Sequence, residues 1–171
     1  RLKLVAKFEE MLKEHKELFF DVGEFEELIN YYLEENDLTK SLTAIKLAKS
    51  QFPFSIVFHV KHAQVLAAQS KFDKALEIIE FAEQVEPEDS EVLMTKGSIY
   101  SQKGVYENAI KYYNKAAENS DDKDFLYLNI AYEYINKNKP EEAIEFLKKS
   151  LKLNAENEIA LYELSFCYEQ V

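Results

Sequence analysis

The chain reads as an all-α solenoid of stacked, antiparallel helix pairs, on three observations. Small residues recur every 34 positions in two registers, Ala63, Gly97 and Ala131, then Ala75, Ala109 and Ala143. Apolar and aromatic residues recur at helical spacing, as in Phe25, Leu28, Ile29 and Tyr32, or Tyr127, Ile130, Ala131 and Tyr134. Only 3 Gly and 3 Pro occur in 171 residues, too few for the tight turns of an all-β protein.

Residues 1–21 lie outside the period but carry Leu4, Phe8, Met11, Leu12, Leu18 and Phe19 among charges. An amphipathic helix capping the first unit is expected there, with the second helix of a degenerate preceding unit as the alternative. Four units follow, 22–55, 56–89, 90–123 and 124–157, and a partial fifth over 158–171. In each, a second apolar stripe follows the first: Leu38, Ser41, Leu42 and Ile45; Phe72, Ala75, Leu76 and Ile79; Tyr106, Ala109, Ile110 and Tyr113; Ala143, Ile144 and Leu147. Asn36, Ser70, Gly104 and Asn138 separate the stripes at one place in the unit, where a left-handed residue would end the first helix. Pro140 suits the opening of a second helix, and Pro53 and Pro87 close units.

Small residues facing each other let helices approach closely, so Ala63 with Ala75, Gly97 with Ala109, and Ala131 with Ala143 predict tight pairs. The first unit has Ile29 and Ser41 at those places, and its helices should stand farther apart. Asp121, Asp122 and Asp124 lack the Gly and terminal Glu of a calcium loop and are expected to cap the helix near 124.

These residues resemble the tetratricopeptide repeat pattern, with its large apolar residue, Leu, Gly or Ala, and Tyr on the first helix, then Ala, an aromatic, Ala and Pro on the second. The second unit matches with Ala63, Leu66, Phe72, Ala75, Ile79, Ala82 and Pro87. The third matches with Leu93, Gly97, Tyr100, Tyr106, Ala109, Tyr113 and Ala116, and the fourth with Tyr127, Ile130, Ala131, Tyr134, Ala143, Leu147 and Ser150. The resemblance implies a right-handed superhelix whose first helices line a concave groove.

Carried onto this chain, the groove positions are Asn30 in the first unit and Val57, Val60, Lys61 and Gln64 in the second. Met94 and Ser98 follow in the third, then Phe125, Leu128, Asn129 and Tyr132 in the fourth, and Tyr162 and Phe166 at the end. Some family members grip a C-terminal carboxylate with Lys and Asn four apart on the first helix and further bases from later units. Here Glu26 stands at the Lys position, although Asn30 matches the Asn, and Thr95 and Ser98 supply no later base. The resemblance therefore implies a protein or peptide partner, bound by apolar, amide and hydroxyl groups.

Composition narrows the function classes. With 32 acidic against 21 basic residues the net charge is -11, and Arg1 is the one arginine, so nucleic acid is not expected as a partner. No apolar run approaches the length of a membrane helix, which disfavours membrane insertion. No phosphate loop, HExxH, paired CxxC or nucleophile elbow appears, so neither an enzyme nor a cofactor is expected. His59 and His62 are spaced like metal ligands but lack a third, and they occupy packing places in the unit. Cys167 stands alone, so no intrachain disulfide forms.

The chain starts with Arg and stops inside a unit, which leads to the expectation of a fragment of a longer array. Its last helix would then lack a cover, with self-association through it as a consequence. No signal peptide is visible, and the cytoplasm is the default expectation. A structural spacer, or an accessory region of a larger protein, is the alternative to the binding reading.

Overall fold

The computed structural model describes residues 1–171 and contains ten α-helices and no strand. They are α1 (Leu2–Glu14), α2 (Val22–Glu34), α3 (Leu38–Gln51), α4 (Ile56–Ala68), α5 (Phe72–Val85), α6 (Ser90–Gln102), α7 (Tyr106–Asn119), α8 (Lys123–Asn136), α9 (Pro140–Leu153) and α10 (Glu158–Gln170). Consecutive helices pack on each other, and α4 also meets α6, so the first helices of neighbouring units lie side by side. The result is a solenoid of helix pairs.

Local chemistry sets the boundaries. Asp21 caps α2 through a reciprocal box: its carboxylate accepts from the Glu24 amide at 2.8 Å, and the Glu24 carboxylate accepts from the Asp21 amide at 2.9 Å. Asp37, Asp89 and Asn157 accept likewise from Lys40, Val92 and Ala160. The four turn residues all have left-handed backbone, with φ of 56° at Asn36, 58° at Ser70, 80° at Gly104 and 56° at Asn138. Each turn is closed by an amide reaching back across it, as in Lys71 N–H to Leu66 O at 2.9 Å and Lys139 N–H to Tyr134 O at 2.9 Å. Pro140 is the first residue of α9, as its missing N–H favours.

Ala63, Ala75, Ala109, Ala131 and Ala143 are fully buried between paired helices, and Gly97 is buried beside them. α2 and α3, with Ile29 and Ser41 at those places, make the sparsest contact of the four pairs within units. Side-chain bulk accounts for this. The first core gathers Phe8, Phe20, Phe25 and Phe58, whose rings meet at centroid distances of 5.4 to 5.9 Å.

Two expectations need correction. The N-terminal segment is helical only to Glu14: His15 turns left-handed at φ 53°, and residues 15–21 run without helix. Phe20, not Phe19, is the buried anchor there, and Phe19 stays largely exposed. Asp122 precedes α8 but its side chain makes no cap; Asp124 sits in the first turn and instead accepts from Asn154 Nδ2 at 3.1 Å.

Candidate functional site

α4, α6 and α8 lie in parallel along one side of the solenoid, and between them opens a cavity of about 270 Å³. Gln64, Met94, Ser98, Phe125 and Asn129 from the groove set line it, together with Ala67, Thr95, Ile99, Gln102 and Tyr113. Gln64 Nε2 donates to the buried Thr95 hydroxyl at 3.3 Å, tying α4 to α6. Gln102 Nε2 donates to Ser98 Oγ at 3.2 Å. No lysine, arginine or carboxylate is among the lining side chains. Phe125 is 50% exposed, a large apolar surface at the rim.

The other groove positions divide. Val60 (2% exposed) packs in the core of the second unit, and Leu128 (5% exposed) packs against α9 and α10, so neither presents a surface to a ligand. Their burial has one cause: the interface between successive first helices needs apolar filling, and these side chains supply it. Val57 is half-buried against the first core, and Tyr132 against the last. Asn30 is exposed on α2 and Lys61 half-buried on α4, both away from the cavity lining. Tyr162 and Phe166 line a separate shallow depression on α10 with Ser165 and Glu169.

Tyr113 was not foreseeable as a groove residue from its place on a second helix. Gly97 admits it: a Cβ there would lie 2.8 Å from the ring, so only glycine lets the phenol slide against α6 and reach the cavity. Its hydroxyl neighbours Ser98 and Ser101, and burial followed by the Glu133 carboxylate pushes its pKa up to about 12. Glu133 itself, on α8, accepts from Ser101 Oγ at 2.6 Å. Burial raises its pKa, and Ser101 and Asn136 offset part of that. A signal for Glu133 existed in the sequence, since Tyr31, Val65 and Ile99 hold the same place in the earlier units.

His59 and His62 pack. His59 Nδ1 lies 3.1 Å from Ser55 O and its ring 4.9 Å from that of Phe81, while His62 Nδ1 is buried without a partner. Burial, then Lys49, His59 and Lys46, lowers the His62 pKa to about 4. No three His, Cys, Asp or Glu side chains converge as metal ligands would.

Family models described as tetratricopeptide repeat match residues 60–124 and 126–157, together more than half of the chain. The chain belongs to the tetratricopeptide repeat family. Solved structures agree on the fold. The Pseudomonas aeruginosa pilF protein is 20% identical, with a TM-score of 0.78 over 85% of this chain and 67% of that one. TTC0263, a thermophilic tetratricopeptide repeat protein of Thermus thermophilus, is 18% identical, with a TM-score of 0.77 over 96% and 89%. YrrB, described as a tetratricopeptide repeat protein with an unusual peptide-binding site, is 17% identical, with a TM-score of 0.66 over 81% and 72%. At such identities the likeness is one of fold. Comparison with curated proteins by sequence gives no match. Tetratricopeptide repeats serve in general as protein-interaction scaffolds, and no helix of this chain is long and apolar enough to cross a membrane.

Proposed function

We propose that this chain is a non-enzymatic scaffold that takes a polypeptide segment along its concave side, over the cavity between α4, α6 and α8. The observation that carries the reading is the lining itself. Met94, Ile99, Ala67 and Phe125 offer apolar contact, and Gln64, Ser98, Gln102 and Asn129 offer amide and hydroxyl groups that fix a backbone. No cation lines the cavity, which argues against the carboxylate-gripping mode. The peptide-binding site that YrrB is described as having, on the same fold, is consistent with this use of the groove. Cytoplasmic placement is the default that goes with this reading.

The test is selection of peptides from a displayed random library on the wild-type chain, followed by titration against Met94→Asp and Phe125→Asp. Phe125 is exposed, whereas Met94 is half-buried against the third core, so helicity is measured on both variants beside the wild type. Selected peptides should lose at least tenfold in affinity to each variant at unchanged helicity; equal binding by both variants overturns the reading.

A second reading rests on α10, where Leu161, Tyr162, Phe166 and Tyr168 are all exposed, Tyr162 by 71%. Self-association through this helix is the corresponding proposal. Sedimentation over a hundredfold dilution series should show dissociation in the wild type and a monomer throughout in Leu161→Glu. A wild type monomeric at every concentration refutes it.

A further inference from the structure

Two charged side chains are buried in this solenoid, and only one of them has its counter-charge. Lys96, on α6, donates to Glu83 at 2.6 Å, has Glu80 at 3.5 Å, and lies 4.7 Å over the Tyr112 ring. Glu133, on α8, is 3% exposed, and no cationic nitrogen lies within 4.0 Å of it. Its Oε1 accepts from Ser101 and the Asn136 side chain lies beside the carboxylate, but Oε2 is buried and makes no hydrogen bond. A buried carboxylate oxygen left without a donor is costly, and a stack of repeats does not require it. The same place in the earlier units holds Tyr31, Val65 and Ile99, of which Val65 and Ile99 fill cores.

Glu133 also adjoins the groove. Asn129, one helical turn before it, lines the cavity, and so do Ser98 and Tyr113; the Tyr113 hydroxyl neighbours those of Ser98 and Ser101, and Ser101 in turn donates to the Glu133 carboxylate. The cavity thus has apolar walls in Ala67, Met94, Ile99 and Phe125 and polar groups in Ser98, Asn129 and Tyr113, and Glu133 lies behind these, buried and outside the lining, with no counter-charge. Apolar walls suit the methylene stem of a long basic side chain, and the polar groups suit its head. The net charge of -11 steers in the same direction.

We infer that the cavity selects a polypeptide segment bearing a lysine or arginine, whose cationic head supplies the counter-charge that Glu133 lacks. The inference rests on the concave-face reading above and specifies its partner chemically. Glu133 acts as the selecting group, Ser98 and Tyr113 as hydroxyls that orient the incoming donor, and Met94 and Phe125 as the clasp on the stem.

The experiment uses three acetylated and amidated pentapeptides, Ala-Ala-Xaa-Ala-Ala with arginine, norleucine or glutamate at the centre. Each is titrated into the isotopically labelled full chain while the amide signals of Ser98, Gln102 and Asn129 are followed. The arginine peptide should shift these signals with at least tenfold higher affinity than the norleucine peptide, and the glutamate peptide should not. Glu133→Gln, which keeps an oxygen for Ser101 and removes the charge, should bring arginine down to the norleucine level. Gln102→Lys, at an exposed lining position, should do the same by placing a cation in the cavity. Arginine no better than norleucine on the wild type, or a preference that survives Glu133→Gln, overturns the inference. Equal shifts by arginine and norleucine leave the concave-face reading standing; signals unmoved by all three peptides defeat both.

Discussion

Replacing Gly97 with alanine sets two effects of known size against each other. In an ordinary helix interior the change stabilises by about 0.5–1 kcal/mol, through lower backbone entropy in the unfolded chain. Here the added Cβ would stand 2.8 Å from both Cδ1 and Cε1 of Tyr113 and 3.3 Å from Cγ. Overpacking of this kind costs about 1–3 kcal/mol. The ring is buried, but it borders the groove cavity and can yield toward it, which places the cost near the middle of that range. The net is a loss of about 1 kcal/mol, equivalent to about 2–4 °C in Tm for a chain of this size. Thermal and urea unfolding by circular dichroism measure it. Tyr113→Val removes the clashing ring atoms, so in that background Gly97→Ala should change sign and stabilise by about 0.5–1 kcal/mol. If Gly97→Ala stabilises the wild type, the ring does not rest against α6 and the account of how Tyr113 enters the groove fails.

Three further outcomes follow from single residues. His62 has its pKa lowered to about 4 from 6.5, so the unfolded chain binds its proton first on acidification; stability present above pH 6.5 should decline as the pH falls toward 4. Tm measured across that window should flatten in His62→Leu, which copies Leu28 at the same place in the first unit, and an unaltered slope would show that other groups carry the effect. Ser70→Gly should stabilise by about 0.5–1 kcal/mol, the left-handed cost at φ 58° less the extra entropy of glycine; a loss of stability in urea titration would contradict it. Glu83→Ala should cost about 3 kcal/mol, the low end for removing one partner of a buried pair, since Glu80 remains 3.5 Å from Lys96. A cost under about 1 kcal/mol by the same titration would mean that Glu80 alone satisfies the ammonium.

The helices and turns were legible because each is fixed by local chemistry repeated in phase. Asn36, Ser70, Gly104 and Asn138 share a place that demands φ above zero, and all four adopt it. Legibility faded where packing, not periodicity, decides. Val60 and Leu128 share a place in the unit and both carry apolar side chains, so a pattern of groove positions alone could not separate a lining residue from one sealing the joint between units. Residues 15–21 failed for a related reason. A helical stripe through Leu18 and Phe19 ignores that a single anchor, Phe20, can hold a non-helical strap in a pocket of phenylalanine rings. Tyr113 reaches the groove only because Gly97, its neighbour across the helix pair, lacks a side chain, and this is a property of two positions together.

Departures from the repeat therefore carry more functional meaning than conformity to it. Places where the second, third and fourth units agree, such as the buried Ala75, Ala109 and Ala143, are explained by close helix approach. Lys96 and His62 depart at the place held by Leu28 and Ile130; Lys96 is answered by Glu83, and His62 by staying neutral. Glu133 departs where Val65 and Ile99 pack, and nothing within the chain answers its second oxygen. A carboxylate in that position weakens the joint between α6 and α8 relative to an apolar side chain, so Glu133→Leu should raise Tm while removing the selecting charge. A stability gain joined to a loss of peptide preference would be the signature of a residue kept for binding; a stability loss would mean that the Ser101 bond makes Glu133 part of the fold.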